Sequence, residues 1–223
     1  MESIAGKVAI VGMGCTKFGE LWDKSFYDLI IDACYEAFED AGIEPKDIQA
    51  AWYGSRETGF TGTWLEEALK LDYIPVTRVE NFCAGGQDVL RNACYGVASG
   101  VCDIALACGV EKTKDHHGGF GLLIQEPLDR SMVQWDIPPA SQFGQYATRY
   151  YEHYRDYYKW DLEGFRRVLA KIDVKNHHNG TLSPKAHFQR EITEEDVLNA
   201  PIVSWPLGLF DACGMSDGGA AAI

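Results

Sequence analysis

Apolar positions along this chain recur with two periods, and their alternation predicts a mixed α/β fold. Lys7-Val-Ala-Ile-Val-Gly12 is a short apolar run closed by glycine, the pattern of a buried strand. Past the loop 13–20, Ser25 is an N-cap candidate with Asp28 three residues on. Phe26, Leu29, Ile30, Ala33, Cys34, Ala37 and Phe38 then keep helical spacing until Gly42 closes the helix. Gln49–Gly54 reads as a second strand, Thr63–Leu71 as a second helix and Val76–Val79 as a third strand. A helix-like run begins at about Gln87 and lasts to Ser99-Gly100, and Cys102–Gly109 is a fourth strand. The order βαβαβαβ predicts a parallel-rich sheet covered by helices, because parallel neighbours require crossover connections.

The pattern changes after Val110, which divides the chain into an α/β core at 1–110, a mostly helical insertion at 111–200 and a return to the core at 201–223. Residues 111–141 are loop-like. Gln142–Tyr158 is a helix candidate crowded with Tyr146, Tyr150, Tyr151, Tyr154, Tyr157 and Tyr158, and Leu162 to about Lys175 is another. Packing at a domain or subunit surface accounts for the tyrosines better than stacking on an adenine ring does. Thr193 has N-cap chemistry for a short helix. Ser216-Asp-Gly-Gly is a turn leading into Ala220–Ile223, where the chain ends at the start of a strand.

With 46% hydrophobic residues over 223 positions the chain can bury a core, which excludes global disorder. A net charge of −13 argues against a nucleic-acid partner, and an anionic ligand needs a local basic cluster or helix N-termini. No apolar stretch reaches membrane-spanning length, and residues 1–7 lack the start of a signal peptide, so neither a membrane partner nor export is expected. Seven cysteines without a Cys-x-x-Cys pair fit a reducing, cytoplasmic setting and argue against a zinc ribbon within the chain. His116-His117 and His177-His178 are adjacent pairs that do not share a helix face, and no metal site is expected from them.

One cysteine stands apart. The β-branched run Val76–Val79 stops at Glu80-Asn81, Cys83 lies in the turn, and a helix follows. Unpaired N–H groups and the positive end of the dipole at a helix N-terminus stabilise a thiolate. Gly85 and Gly86 lack side chains, so a carbonyl substrate can approach the backbone there. Cys83 is therefore a candidate acyl-accepting nucleophile, with ordinary core packing as the competing reading of any cysteine. Cys34, Cys94, Cys102 and Cys108 lie in apolar patterns and read as core, while Cys15 and Cys213 sit in Gly-flanked loops.

Several segments stand in order along nearly the whole chain: Val8-Ala-Ile-Val-Gly with Thr16-Lys-Phe-Gly-Glu, then Val79-Glu-Asn-Phe-Cys-Ala-Gly-Gly and Gly109-Val-Glu-Lys. Lys175-Asn-His-His-Asn-Gly-Thr-Leu-Ser-Pro-Lys-Ala follows, and then Pro206-Leu, Asp211-Ala-Cys and Ser216-Asp-Gly-Gly-Ala-Ala-Ala. Together they resemble the thiolase superfamily, nearest its sterol-carrier-type and archaeal acetyl-CoA acetyltransferase branch. The resemblance implies the first βαβαβαβ half of a layered αβαβα fold with an inserted loop domain. It implies acyl transfer between coenzyme A thioesters, as in acetyl-CoA acetyltransferase or 3-ketoacyl-CoA thiolase. Cys83 would carry the acyl group, and backbone N–H groups of the Gly85-Gly86 turn and of the other half would form the oxyanion hole. Acyl-CoA is then a substrate, with no permanently bound cofactor. The loop domain would cover coenzyme A, and Lys175, Lys185 and Arg190 are the candidates for its phosphates, with plain solvated charge as the alternative.

The same resemblance places the activating histidine, an Asn-containing motif and a second, acid/base cysteine in a C-terminal half. The chain is expected to need that half or a second subunit, because the helix after Cys83 would otherwise expose an apolar face. A homodimer or tetramer is implied, and a zinc-ribbon/OB-fold protein is a candidate partner. Two alternatives stand beside acyl transfer: a thiolase-fold retro-aldolase (a carbon–carbon lyase) and a non-catalytic subunit. Cys-Ala-Gly-Gly departs from relatives that carry a hydroxyl residue before the last glycine.

Overall fold

The computed structural model describes residues 3–115 and 139–223. They fall into two compact units, Met1–His116 with Ser216–Ile223 and His117–Met215. The return to the first unit comes later than the apolar pattern suggests. Strands β5 (Ile202–Ser204) and β6 (Leu207–Gly208) pair with each other, not with the main sheet, so residues 201–215 belong to the second unit.

In the first unit a five-stranded sheet has the order β1 (Met13–Cys15), β7 (Gly218–Ala222), β4 (Ala105–Glu111), β2 (Ala50–Gly54), β3 (Val76–Val79). Strands β2, β3 and β4 are parallel, with Ala51 opposite both Val76 and Leu106, and β7 runs antiparallel to β4 and β1. The first strand is a correction to the sequence reading. Residues 7–12 form no buried strand: Ile10 and Val11 are exposed, and the run is tied to Ile223 only at its end, where the Val11 and Gly12 N–H groups reach the Ile223 carbonyl and the Gly12 carbonyl accepts the Ile223 N–H. The strand itself, Met13–Cys15, lies on helix α1 (Phe26–Ala41), and the contact is so close that a Cβ on Gly14 would fall 2.2 Å from the Ala33 carbonyl oxygen. Gly12, which reads as the end of a strand, and Gly14, which reads as loop, are what admit this strand against α1.

Helix α1 begins as expected. Ser25 and Asp28 form a reciprocal capping box, and Gly42 ends the helix in the left-handed region at φ 69°. It packs with α2 (Thr63–Leu69) on one face of the sheet, while α3 (Gly85–Ala98) packs on the other, against β2, β3 and β4. The strand period of two sorts the side chains. Ala51, Tyr53, Leu106, Cys108 and Val110 meet Leu29, Ile30, Phe38 and Leu65 on the α1 side. Ala50, Trp52, Ala105 and Ala107 meet Val89 and Ala93 on the α3 side. Burying each large aliphatic side chain is worth roughly 1.5–3 kcal/mol, so the α1 face contributes most of the hydrophobic stabilisation.

The second unit contains α4 (Pro139–Tyr158), α5 (Leu162–Thr181), α6 (Glu194–Asn199) and the β5–β6 pair. Asp161 caps α5 by accepting the Gly164 N–H at 2.7 Å, and Thr193 and Asp196 form a capping box on α6. Helix α5 runs past the expected Lys175 to Thr181. Tyr150 and Tyr151 of α4 meet Phe165 of α5, and Tyr158 stacks on Trp160 at 4.3 Å, so part of the tyrosine stripe packs within this unit. Phe143, Tyr146 and Tyr157 stay exposed. No helix among the described residues is long and apolar enough to cross a membrane.

Candidate active site

Because β2, β3 and β4 are parallel, their carboxyl ends lie at one edge of the sheet, where α/β folds place their ligands. Three segments leave that edge: the loop 55–58 after β2, the turn 80–84 after β3, and Glu111 ending β4. They border a cleft of about 530 Å³ on the α3 face, which continues over Gly218–Ala222 of β7. Among the described residues no helix of this unit covers β7 on that side, whereas α1 lies on β1, β7 and β4 from the other.

Cys83 lines the cleft and is exposed. It sits in a 3₁₀ turn, Phe82–Ala84, that runs directly into α3. Helix α3 starts without a side-chain cap, since its N-cap residue is Ala84. Phe82, just before the cysteine, has φ 47°, a left-handed conformation that costs a non-glycine residue roughly 1–2 kcal/mol. Several contacts hold it there: its N–H donates to the Glu80 carboxylate, its carbonyl accepts the Gly85 N–H, and the Arg56 guanidinium lies 4.8 Å above its ring. Asn81 reaches across to Asp88 in the first turn of α3 at 2.6 Å, and Arg91 pairs with the same Asp88 at 2.6 Å.

Gly85 and Gly86 also line the cleft. Gly85 has an ordinary helical φ of −53°, and a Cβ on either glycine would meet nothing within 4 Å. Neither backbone conformation nor close packing within the described structure demands glycine here, although glycine is the poorer helix former by roughly 1 kcal/mol. The Gly85 amide is already engaged by the Phe82 carbonyl.

The loop 55–58 is fixed by side chains of both β2 and β3. The Tyr53 hydroxyl donates to the Thr58 carbonyl at 2.6 Å, and burial pushes the phenol's pKa upward. Arg78 Nη2 donates to the Ser55 carbonyl at 2.6 Å. The next residue of β4's alternation, Lys112, is 1% exposed and pairs with the fully buried Asp217 at 2.9 Å and with Asp115 at 2.9 Å. Burial alone disfavours the ammonium charge, but the two carboxylates outweigh it and hold the Lys112 pKa above its ordinary value. Two segments singled out in the sequence, Gly109-Val-Glu-Lys and Ser216-Asp-Gly-Gly, are thus joined by one buried ion pair.

The other cysteines divide as their patterns suggest, except Cys94, whose apolar pattern predicts the core. Cys34, Cys102 and Cys108 are buried, Cys94 and Cys15 are half-buried and Cys213 is exposed. Cys34 hydrogen-bonds to Cys108, and that contact together with burial raises the Cys34 pKa well above the ordinary thiol value.

The basic candidates all belong to the second unit. Lys175 and Arg190 are exposed, and the Arg190 carbonyl meets His177 Nδ1 at 3.0 Å. Neither residue, nor Lys185, lines the two clefts found among the described residues of that unit, where Arg166, Arg167 and Arg149 stand instead. Arg167 is held by Glu163 at 2.9 Å and Arg166 by the Leu198 carbonyl at 3.0 Å. His178 pairs with Glu191 at 2.8 Å, so His177 and His178 serve different neighbours. His116 and His117 lie outside the described residues. Among those described, no group of three His, Cys, Asp or Glu side chains could hold a metal. Sequence reasoning missed Asp173: buried beside Asp211, its pKa is pushed up to about 7, first by burial and then by that neighbouring carboxylate. Only the fold reveals this pair, since its members lie 38 positions apart in the chain.

Comparison with known proteins places this geometry. Residues 8–223 match the family model described as Thiolase, N-terminal domain. Acetyl-CoA acetyltransferase of Methanothermobacter thermautotrophicus is 36% identical over 222 residues, which cover 97% of this chain and 56% of the relative. A steroid side-chain-cleaving aldolase of Thermomonospora curvata is 29% identical over 239 residues, covering 100% of this chain and 58% of the relative. The solved structure of an Ltp2-ChsH2(DUF35) aldolase shares the fold with a TM-score of 0.80 at 22% identity, over 99% of this chain and 56% of that one. The chain spans about half the length of the curated relatives it matches.

Proposed function

This chain belongs to the thiolase family, and we propose that it carries the nucleophile of a thiolase-type acyltransferase, with Cys83 Sγ as the acyl acceptor. In this reading the Cys83 thiolate attacks the carbonyl carbon of an acyl-CoA thioester. The C–S bond to coenzyme A breaks, coenzyme A leaves as its thiolate, and the acyl group stays on Cys83 until a second acceptor takes it. Backbone N–H groups in the first turn of α3 stabilise the tetrahedral oxyanion, and Gly85 and Gly86 leave the approach open. The carrying observation is an exposed thiol at an uncapped helix start, between a strained Phe82 and two glycines that the described structure does not require.

The cleft is lined by Arg56, Glu80 and Glu111 among charged groups and, among the described residues, by no histidine. In this reading a base for proton removal from a carbon beside the thioester is supplied by a C-terminal half or a second subunit. Exposed Tyr95, Val101 and Phe82 around α3 fit a surface that such a segment covers. We place the whole protein in the cytoplasm as a dimer or tetramer, with Lys175, Lys185 and Arg190 as the candidates for coenzyme A phosphates.

The test is to incubate the protein with acetyl-CoA and map acetylated peptides by mass spectrometry. Acetyl on Cys83, absent from Cys83→Ala, and iodoacetamide labelling of Cys83 that acetyl-CoA blocks support the proposal. Labelling spread evenly over the cysteines defeats it. The 29% identical aldolase favours a second reading, carbon–carbon cleavage on a coenzyme A thioester without Cys83 as nucleophile. Undiminished activity of Cys83→Ala selects it. A non-catalytic role beside a partner protein, of the zinc-ribbon/OB-fold kind, is a further arm. The Ltp2-ChsH2(DUF35) aldolase, whose name carries a DUF35 component, motivates it, and coenzyme A binding without turnover marks it.

A further inference from the structure

We propose that Glu111 is a positioning residue for the Cys83 turn, acting through the loop 55–58 and Arg56; this rests on the reading of Cys83 as acyl acceptor. The Glu111 carboxylate accepts five hydrogen bonds from described residues. Oε1 takes the Ser55 hydroxyl at 3.1 Å, the Glu57 and Thr58 N–H groups at 3.1 and 3.0 Å and the Thr58 hydroxyl at 2.8 Å, and Oε2 takes the Arg56 N–H at 2.8 Å.

A carboxylate has about two lone-pair directions on each oxygen, so four donors crowd Oε1 while Oε2 accepts the Arg56 N–H alone. It lines the cleft and anchors the loop beside it. What it does is gather the backbone of 55–58 into one conformation, with Arg78 holding the Ser55 and Arg56 carbonyls from the opposite side. That conformation delivers the Arg56 guanidinium to the Phe82 ring, 4.8 Å away, and Phe82 in its left-handed conformation immediately precedes Cys83. The path runs from the end of β4, through the end of β2, to the turn after β3: three parallel strand ends, each contributing one link.

Only a carboxylate fits. Glutamine at 111 keeps the shape, but its one acceptor oxygen cannot serve both Oε1 and Oε2 partners, and its NH₂ would face an N–H donor. Aspartate keeps both acceptors on a shorter stem.

The experiment measures iodoacetamide labelling rates of Cys83, with exposed Cys213 as internal control, in the wild-type chain and in Glu111→Gln, Glu111→Asp, Arg56→Met and the Arg56→Met/Glu111→Gln double variant. Misplacement of a reacting group by about 1 Å costs up to about a hundredfold, so Glu111→Gln is expected to slow Cys83 about tenfold while leaving Cys213 unchanged. Glu111→Asp recovers most of the rate, and the double variant is no slower than Arg56→Met alone, because both changes cut one path. The proposal is overturned by unchanged Cys83 labelling in Glu111→Gln, by equal slowing of Cys83 and Cys213, or by multiplying effects in the double variant. If Glu111→Gln does not fold, Arg56→Met decides: it leaves every Glu111 contact in place, and a normal Cys83 rate in it refutes the path. Acetyl loading separates the two readings. Selective Cys83 labelling without acetylation defeats the proposed function alone, and acetylation with labelling insensitive to these variants defeats the positioning role alone.

Discussion

The two faces of the sheet are built from the same strands yet do different work. On the α1 face, Tyr53, Leu106, Cys108 and Val110 meet Leu29, Ile30, Phe38 and Leu65 in a closed core. On the α3 face the same strands present Ala50, Ala105, Ala107 and the glycines 54 and 109, and the space left over is the cleft beside Cys83. Large side chains on one face supply stability; on the other, Trp52 packs under α3 and the small residues beyond it leave the cleft open. Even the end of β4 obeys the division. Glu111 turns to the cleft and its loop, and Lys112 turns into the buried pair with Asp217. A strand's period of two lets one segment serve both purposes without compromise.

The largest effect is expected at that buried pair. Lys112→Met strands the Asp217 carboxylate without its cation and should cost about 3–5 kcal/mol, read from urea unfolding, with part recovered in Lys112→Met/Asp217→Leu. The sign with pH follows from the raised lysine pKa. Lys112's contribution is complete below the ordinary 10.5 and fades as pH climbs through the higher folded value, so wild-type stability should drop above that pH and the Met variant should lack the drop. Next, Leu106→Ala on the closed face should cost about 2–5 kcal/mol by the same assay. A loss below that of ordinary surface sites would mean the closed face is not the main core.

Smaller, and opposite in sign, is the like-charge pair of the second unit. With Asp173 raised to about 7, the folded state holds a proton that the unfolded chain has lost, so stability should decline between about pH 4 and pH 7. Asp173→Asn should flatten that decline and gain roughly 1–2 kcal/mol at pH 8, seen as a higher melting temperature. A slope that persists in the Asn variant assigns it to other groups. The smallest change belongs to the open face: Ala220→Val adds its methyls to the cleft wall and should move stability by no more than about 0.5 kcal/mol. A loss as large as that of Leu106→Ala would show that this face is as tightly packed as the other.

Much of the fold was legible because local signals and tertiary packing agree. The Ser25–Asp28 capping box, the Gly42 stop and the third strand at 76–79 all stand where the pattern places them. The first strand was displaced because its apolar run lies at a sheet edge, while the glycines after it fit against α1. Cys83 was legible from strand, turn and helix in sequence. Its supports were not: Arg56 over Phe82 and the Glu111 knot join residues from separate strand ends, and no short-range pattern encodes which loop meets which turn.

By itself the sequence determined the order of elements, the helix caps and the place of one cysteine at a helix start, since these follow from periods and chemistry within a few residues. Tertiary structure alone decided that β7 enters antiparallel, that Lys112 finds Asp217 across 105 positions, and that the left-handed residue before Cys83 is held by a loop from another strand. Those outcomes depend on burial and on which groups remain to pair once the chain has closed on itself, and both are properties of the packed whole.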